Sequence, residues 1–306
     1  MRAWESDAAA NPKTVNSRVV ATPGRTHIQP RGYMHTVTQD EPSLLLIDGL
    51  NIVRRVYEAN PAPDSVDKAQ VALRNALSSF RNALRKHRPT HVLALFDCAG
   101  KTWRHELYPM YHSTRKPMAQ ELRDGLPAFY ADLTRQWCIP TLSKEGYEAD
   151  DLIGTALTRW LEKPRGPVKV LSNDKDLLYF VSVGAHVMDH FAGDDAPWRD
   201  RDFVQAKFGV QPELILDFHA LVGDSVDDVP GVDGVGEKTA ARWLNEYGSL
   251  EGVLENAHQL KGKVGENLRK QADLARLCRQ LVAMKTDVTL GVTWNMLRID
   301  CEQVLH

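Results

Sequence analysis

The sequence predicts an α/β fold with a mostly parallel central sheet flanked by helices, followed by a helical module. Up to about residue 200, short apolar runs alternate with helical patterns, an order typical of parallel sheets. From residue 211 onward the strand signal ends, and helical segments joined by glycine-rich turns follow. With 43% hydrophobic and 25% charged side chains among 306 residues, the chain is an ordinary globular protein, not a collagenous or largely disordered one.

Four apolar runs are predicted to be strands, and two longer segments between them are predicted to be helices. The predicted strands are residues 44–47, 92–96, 168–171 and 185–188. In the segments 70–84 and 150–161, apolar residues recur at nearly helical period.

The chain is predicted to have three parts. Residues 1–42 contain four prolines and no sustained apolar period, which indicates a disordered extension. An α/β domain is predicted over 43–204 and a helical module over 205–300. No apolar run approaches the length of a membrane span, and the mean hydropathy is −0.37. The four cysteines form no C-x-x-C motif, so we expect a reducing, cytoplasmic setting.

A local excess of positive charge lies between Arg81 and Lys116. This stretch holds eight lysines and arginines but only two acidic residues, although the formal net charge of the whole chain is −2. A solvated helix face has such a composition, and so does a patch that binds a polyanion, so both interpretations stay open at this point.

Three of the predicted strands end at carboxylates. Asp48 follows the first, Asp97 follows the second, and Asp174 lies just after the third, two residues before Asp176. Because the carboxyl ends of parallel strands share the edge at which ligands bind, we expect these side chains to meet in one crevice.

Two further acidic clusters have alternative explanations. Glu148, Asp150 and Asp151 lie where a helix begins, and acids there also cap free N–H groups and complement the helix dipole. Asp224 and Asp227 lie in a segment whose local alternative is turn chemistry. So many carboxylates repel one another unless cations neutralise them, and oxygen ligands favour Mg²⁺ or Mn²⁺ over zinc. A pair of such ions is the usual arrangement for phosphodiester hydrolysis, which is therefore the predicted reaction class.

A glycine-rich segment precedes a predicted amphipathic helix. Gly231, Gly234 and Gly236 allow close approach of the backbone to a phosphate, while the start of the helix and Lys238 add positive charge. A tight turn between two helices uses the same residues. With Pro230, the pattern is typical of a helix-hairpin-helix, here at 223–247, that binds a DNA backbone without reading its sequence.

In chain order, the motifs are Leu45-Leu-Ile-Asp48-Gly, Phe96-Asp97, Trp103-Arg104-His105-Glu106, Glu148-Ala-Asp-Asp151, Asp174-Lys-Asp176, Gly223-Asp-Ser-Val-Asp227 and Gly231-Val-Asp-Gly-Val-Gly-Glu-Lys238. As an ordered set they resemble the structure-specific 5′ nucleases, the family of flap endonucleases and of the 5′ to 3′ exonuclease domain of bacterial DNA polymerase I. The stand-alone exonuclease IX type (Xni flap endonuclease) is the most similar in length. The resemblance covers about residues 44–300 and implies a PIN-like 5′ nuclease fold, a monomer, and branched or flapped DNA as the partner.

The resemblance also implies two Mg²⁺ ions, for which Mn²⁺ can substitute, and one K⁺ ion. The first Mg²⁺ would be served mainly by Asp48, Asp97, Glu148, Asp150 and Asp151, and the second by Asp174, Asp176, Asp224 and Asp227. The K⁺ would be held by the backbone carbonyls of Leu221, Val222, Pro230, Val232 and Val235.

A helical arch at about residues 98–126, which admits a single-stranded 5′ end, is a further implication of the resemblance. In it Tyr111 would stack on a base, and Arg115, with Lys116 beside it, would contact a phosphate. His112 stands where the family has a lysine that faces the scissile phosphate. Because an imidazole with the ordinary pKa of about 6.5 is mostly neutral at about pH 8, reduced turnover is predicted.

Two sets of residues complete what the resemblance implies. The catalytic set is Asp97, Asp150, His112 and Arg115, and the DNA-binding set of the hairpin is Gly234, Val235, Gly236, Glu237, Lys238 and Thr239.

The sequence thus predicts a Mg²⁺-dependent flap endonuclease with 5′ to 3′ exonuclease activity on branched DNA in replication or repair. One alternative is a DNA-junction binding protein of the same fold with weak or no cleavage, which His112 favours and the retained Asp176, Asp224 and Asp227 disfavour. Another is a PIN-like ribonuclease, which would share the acidic sheet edge but has no need of the hairpin.

Overall fold

Five parallel strands form the central sheet of the computed structural model, which describes residues 41–163, 165–193 and 197–305. The strands are β1 Leu44–Asp48, β2 His91–Phe96, β3 Thr141–Ser143, β4 Val168–Leu171 and β5 His186–Met188. Their order in the sheet is β3-β2-β1-β4-β5, and every pairing is parallel. In the central register Leu46 lies between Leu93 and Val170. The predicted parallel sheet is confirmed.

Helices cover both faces of the sheet, and turns and loops connect them. The helices are α1 Gly49–Glu58, α2 Val66–His87, α3 Trp103–Leu107, α4 Gln120–Trp137, α5 Ala149–Leu161, α6 Arg201–Phe208, α7 Ile215–Val222, α8 Glu237–Tyr247, α9 Leu250–Glu255, α10 Gly262–Lys270, α11 Ala272–Leu281, α12 Trp294–Leu297 and α13 Cys301–Leu305, with 3₁₀ helices at Asp176–Val183 and Pro212–Leu214.

The central strand, β1, shows why the sequences of the strands are continuous apolar runs. Leu44, Leu45, Leu46 and Ile47 of β1 are all fully buried. Because successive side chains point to opposite faces, the first and third pack with α5 and the C-terminal helices, and the second and fourth pack with α1, α2 and α4.

The structure contains each predicted strand and helix and adds one strand. β3, Thr141–Ser143, was not predicted, because it has only three residues and none of them is fully buried. The helix predicted at 70–84 is longer: α2 begins at Val66, where the Ser65 hydroxyl accepts a hydrogen bond from Lys68 N, and ends before Arg88 in the left-handed region.

The segment predicted as a helical arch, residues 98–126, has a different structure. It contains the five-residue helix α3, a series of turns at 108–114, and the first turns of α4. The turns take this course because the ring of Tyr111 is buried in the core instead of facing solvent.

The helical module shares its core with the sheet. Side chains of α7, α8 and α11 belong to the same apolar cluster as β1 and β4, and Asp40–His306 is one compact unit. The boundary predicted between residues 204 and 205 lies inside α6, so the change to the helical module does not fall there.

The predicted disordered extension, residues 1–42, lies outside the described residues except for its last two. Within the described part, none of the helices has the length and apolar character that crossing a membrane requires.

Two glycines close the connection between α7 and α8. Gly223 (φ 85°) and Gly231 (φ 69°) are left-handed and lie against each other. A Cβ atom on Gly231 would lie 2.5 Å from Gly223 N and 2.6 Å from the carbonyl carbon of Val222, so backbone leaves it no room. Gly234 is also left-handed (φ 78°), but the nearest atom to its Cβ position, in Val264, is 3.7 Å away.

We expect Gly231→Ala to destabilise the protein much more than Gly234→Ala. Both substitutions place a side chain at positive φ, which costs about 1–2 kcal/mol, but only the first adds a clash with backbone atoms. Urea denaturation of the two variants measures the difference in unfolding free energy, which we expect to exceed about 1 kcal/mol. Equal losses in the two variants would contradict this account of the turn.

Candidate active site

A cleft at the carboxyl edge of the sheet collects most of the predicted metal-binding carboxylates. Asp48 is the last residue of β1, Asp97 directly follows β2, and Asp174 lies three residues after β4. Parallel pairing brings these strand ends together, as expected. Eight of the nine predicted carboxylates, all within the described residues, line the cleft: Asp48, Asp97, Glu148, Asp150, Asp174, Asp176, Asp224 and Asp227.

Neighbouring elements orient the carboxylates at the ends of β1 and β2. Asp48 caps α1, since its Oδ1 accepts a hydrogen bond from Asn51 N at 3.2 Å, and its Oδ2 accepts one from Ser172 Oγ at 2.8 Å. Asp97 Oδ1 accepts one from Ala149 N at 2.9 Å, at the start of α5. The backbone thus fixes both side chains through at least one oxygen.

Arg104 is a buried cation beneath the cleft. Only 1% of its side chain is exposed, and its guanidinium donates to Glu148 Oε2 at 3.1 Å, Asp150 Oδ2 at 2.8 Å and Asp151 Oδ2 at 3.0 Å. Burial opposes its charge, but the three carboxylates outweigh burial and raise the pKa of Arg104 well above its ordinary value. Two backbone carbonyls, those of Leu281 and Ala283, accept its remaining N–H groups.

Asp151 is the one predicted metal ligand that lies outside the cleft. It is fully buried, and its oxygens accept hydrogen bonds from Trp103 Nε1, Lys285 N and Glu148 N, besides those from Arg104. Residues 148 and 151 do share a helix face, but Arg104 occupies the space in front of it. The structure does not support Asp151 as a metal ligand; its role is to hold Arg104.

The crowding of carboxylates changes their ionisation. Burial, and then repulsion from Asp97, raises the pKa of Asp48 to about 7. Burial and repulsion from Asp227 raise the pKa of Asp174 to about 6. Burial and Asp174 likewise raise the pKa of Asp176. Ionising these groups in the folded protein therefore costs free energy, which bound cations would offset.

Three of the carboxylates form a second cluster suited to a cation. Asp176, Asp224 and Asp227 each offer an oxygen, and these oxygens lie within 4.8 Å of one another. Asp176 Oδ1 is buried without a hydrogen-bond partner in the part of the chain described. Lys175 Nζ donates to Asp224 Oδ2 at 2.8 Å. An all-oxygen donor set with an unpaired buried oxygen fits a hard divalent cation.

A histidine that was not predicted lies beside this cluster. The Nε2 atom of His219, on α7, is 3.6 Å from Asp176 Oδ1. Burial, and then the charge of Lys175, lowers the pKa of His219 to about 3.

The turns between α3 and α4 bring Tyr111, His112 and Arg115 to the lining of the cleft, but the ring of Tyr111 is buried there. Tyr111 is 5% exposed and its hydroxyl donates to Glu148 Oε2 at 3.0 Å, so in this structure its ring is not available to stack on a base. Arg115 lines the cleft beside His112, whereas Lys116 is exposed outside it.

His112 contacts one of the predicted metal ligands. Its Nε2 lies 2.8 Å from Asp227 Oδ1. Burial favours the protonated form of Asp227, but the hydrogen bond and charge of His112 outweigh it and lower the pKa of Asp227. Next to this pair, Asp228 accepts hydrogen bonds from Thr114 N at 2.8 Å and Thr114 Oγ1 at 2.7 Å.

The predicted hairpin lies between α7 and α8. Gly236 is the N-cap of α8, and Gly234, Glu237 and Lys238 are exposed around it. Of the remaining predicted DNA-binding residues, Thr239 is half-buried and the side chain of Val235 is buried, which leaves the latter only its backbone for contacts.

Four of the predicted K⁺-binding carbonyls have a defined place, and that of Pro230 lies against Gly223. The carbonyl of Leu221 accepts Val232 N–H at 2.8 Å and that of Val232 accepts Val235 N–H at 3.0 Å. The carbonyl oxygen of Val222 lies against Gly231.

Several cations at the cleft were not predicted. Arg54 and Arg55 on α1 and Lys175 all line it. The Nε atom of Arg54 is buried without a partner among the described residues, and Arg55 pairs with Asp189 at 2.5 Å. The sequence signal for the two arginines was their position about two helical turns after Asp48. A helix that begins at the acidic edge of the sheet keeps residues two turns along it near that edge.

Comparison with known proteins covers nearly the whole described chain. Residues 43–209 match the 5′–3′ exonuclease N-terminal resolvase-like domain, and residues 210–303 match the 5′–3′ exonuclease C-terminal SAM fold.

Among individual relatives, the Xni flap endonuclease of Vibrio cholerae is 33% identical over 259 residues, 84% of this chain and 96% of its own. That of Colwellia psychrerythraea is 34% identical over 278 residues, 86% and 94% of the two chains. DNA polymerase I of Rhizobium leguminosarum is 36% identical over 281 residues, 87% of this chain but only 27% of the polymerase.

Solved structures share the fold at lower identity. The zinc-bound T5 5′-exonuclease superposes with a TM-score of 0.66 at 18% identity, over 86% of this chain and 97% of the other. The T5 flap endonuclease solved with DNA and metal ions gives a TM-score of 0.62 at 20% identity, over 80% and 90% of the two chains.

We expect Asp48→Asn to raise the melting temperature of the metal-free protein by several degrees at about pH 8. A carboxyl whose pKa is raised on folding, here from 3.8 to about 7, destabilises the fold increasingly as pH rises through that interval, and the amide removes this effect while still capping α1. The gain should therefore shrink toward about pH 4.

Differential scanning fluorimetry in EDTA across pH measures this gain. The exposed Asp202→Asn on α6 is the matched control. Adding Mg²⁺ should stabilise the parent more than Asp48→Asn. A variant less stable than its parent at pH 8 would show that repulsion does not dominate at this carboxylate.

Proposed function

The chain belongs to the 5′–3′ exonuclease family, and from that premise we propose that it is a structure-specific flap endonuclease with 5′ to 3′ exonuclease activity. Its reaction would be the hydrolysis of phosphodiester bonds at 5′ flaps of branched DNA, in replication or repair. The observation that carries the proposal is the cleft of eight carboxylates at the sheet edge. Support also comes from two relatives named flap endonucleases, whose length this chain covers almost completely.

The donor set of the cleft fits two divalent cations, which we take to be Mg²⁺ with Mn²⁺ as a substitute. When bound, such ions activate water and stabilise the leaving oxygen of a phosphodiester. One would be held by Asp48, Asp97, Glu148 and Asp150, and the other by Asp174, Asp176, Asp224 and Asp227.

The chain's own residues orient these ligands and bind the phosphate backbone. Asp150 is held from both sides, by Arg104 on Oδ2 and by Asp151 N, 2.7 Å from Oδ1. Arg54 and Arg115 line the same cleft, and their guanidinium groups suit the phosphates that flank the reacting one. Asp97, Asp150, His112 and Arg115 remain our proposed catalytic set.

The hairpin would bind duplex DNA next to the cleft. Gly236 starts α8, so free backbone N–H groups and Lys238 form a site for a phosphate that carries no base information. We further propose that one K⁺ binds the backbone carbonyls of Leu221, Val222, Pro230, Val232 and Val235. The Leu221 and Val232 carbonyls each keep a second lone pair beside the amide they accept. Selectivity would then come from the shape of branched DNA.

Cleavage of an end-labelled 5′-flap duplex in Mg²⁺ and K⁺ tests the proposal. The parent should cut near the junction, EDTA should abolish cutting, and Asp176→Ala should slow it by at least about 100-fold because the second cation site loses a ligand. Asp202→Ala, an exposed carboxylate on α6, is the matched control and should cut as the parent does. Tight binding of the flap without cutting would overturn the nuclease proposal in favour of a DNA-junction binding protein.

We expect His112→Lys to raise the turnover number at about pH 8 by roughly tenfold. A lysine reaches the same side of the cleft, next to Asp227, with a permanent positive charge that stabilises negative charge on the reacting phosphate.

Single-turnover cleavage rates of His112→Lys and the parent measure this effect. His112→Gln, which retains a hydrogen-bond donor without the charge, is the control and should not gain. A lysine variant that is no faster than the parent would count against a role for charge at this position.

A further inference from the structure

His219 is a buried histidine beneath the acidic cleft. Only 3% of it is exposed, and its Nε2 has no hydrogen-bond partner among the described residues. Asp176 Oδ1, which is equally without a partner, lies 3.6 Å away. Two buried polar atoms therefore face each other across a gap slightly longer than a hydrogen bond.

Packing alone does not explain a histidine at this position. Phe208 and Phe218 pack edge to face against the ring, with centroids 5.7 and 5.4 Å away. A leucine or phenylalanine would fill such a space without burying a polar atom that lacks a partner. The reason for the histidine therefore lies on the side that faces Asp176.

The other two carboxylates of the second cluster each contact a side chain that can donate a hydrogen bond. Asp224 accepts from Lys175 Nζ at 2.8 Å, and Asp227 is paired with His112 Nε2 at 2.8 Å. A carboxylate that binds a cation is typically held in place by a donor from the surrounding protein. Asp176 Oδ1 is without such a donor in the described residues.

We propose that His219 is a positioning residue of the second cation site, whose Nε2–H donates to Asp176 Oδ1 and so directs this carboxylate toward the cation. Closing the distance from 3.6 Å to an ordinary hydrogen bond takes a side-chain movement of about 0.6 Å. The inference rests on the proposed function for the identity of the site, but its test involves neither DNA nor cleavage.

Titration of the metal-free full chain with Mn²⁺, with free Mn²⁺ followed by electron paramagnetic resonance, tests the proposal. The parent should bind two ions. His219→Leu should weaken one of them by about 10- to 100-fold, because Asp176 loses its donor. His219→Gln, whose amide still donates, should stay within about threefold of the parent.

Phe80→Leu is the control for a buried aromatic ring, since it changes a fully buried ring of α2 in the other apolar cluster, away from His219. It should lower the melting temperature and leave both Mn²⁺ affinities unchanged.

Three outcomes would overturn the proposal. His219→Leu could bind both ions as the parent does. A ¹⁴N coupling in the electron spin echo of bound Mn²⁺ that persists in His112→Gln and is lost in His219→Gln would make His219 a direct ligand instead of a positioning residue. A parent that binds no Mn²⁺ would overturn both this proposal and the proposed nuclease function. The first two outcomes would leave the proposed nuclease function intact.

Discussion

Repulsion among carboxylates gathered in one cleft is the constraint on which the rest of this structure depends. A parallel sheet delivers acidic side chains from separate segments to a single edge, and burial there raises the pKa of Asp48 and Asp174. A fold with such an edge needs positive charge within reach. The protein supplies part of it in the form of Arg104 and Lys175, each held at hydrogen-bond distance from the acids.

The built-in cations are unevenly distributed, and this divides the cleft. On the α5 side, Arg104 contacts three carboxylates and is itself anchored by two backbone carbonyls, so the protein alone fixes the geometry there and supplies one of the positive charges. On the β1 and β4 side, the hydrogen-bond donors that Asp48 and Asp174 receive from the described residues are neutral. The negative charge without a protein partner is therefore concentrated near the strand ends, where a substrate phosphate would also need neutralising.

The sequence was sufficient for four of the five strands and for the strand-end carboxylates, because each depends on local pattern. Apolar runs such as β1 and the helical period of α5 follow from burial, and parallel order then places Asp48, Asp97 and Asp174 at one edge. It was not sufficient for side-chain direction. Asp151 accepts from Arg104, and Tyr111 donates to Glu148, across 37 or more residues of sequence. These contacts decide which oxygens of Asp151 remain free and where the ring of Tyr111 lies. Helical spacing cannot specify such contacts.

The turn that carries His112 shows how those distant contacts combine. His112 (φ 58°) and Asp228 (φ 57°) both lie in the left-handed region, which is unfavourable for side chains other than glycine and is retained when surrounding contacts determine it. Those contacts are reciprocal, because His112 is paired with Asp227, and Asp228 accepts two hydrogen bonds from Thr114. The Asp228 carboxylate suits this arrangement because both of its oxygens accept a hydrogen bond. The segment nearest the cleft and the loop that supplies Asp227 are thus fixed together, so neither can move without changing the ligands of the second cluster.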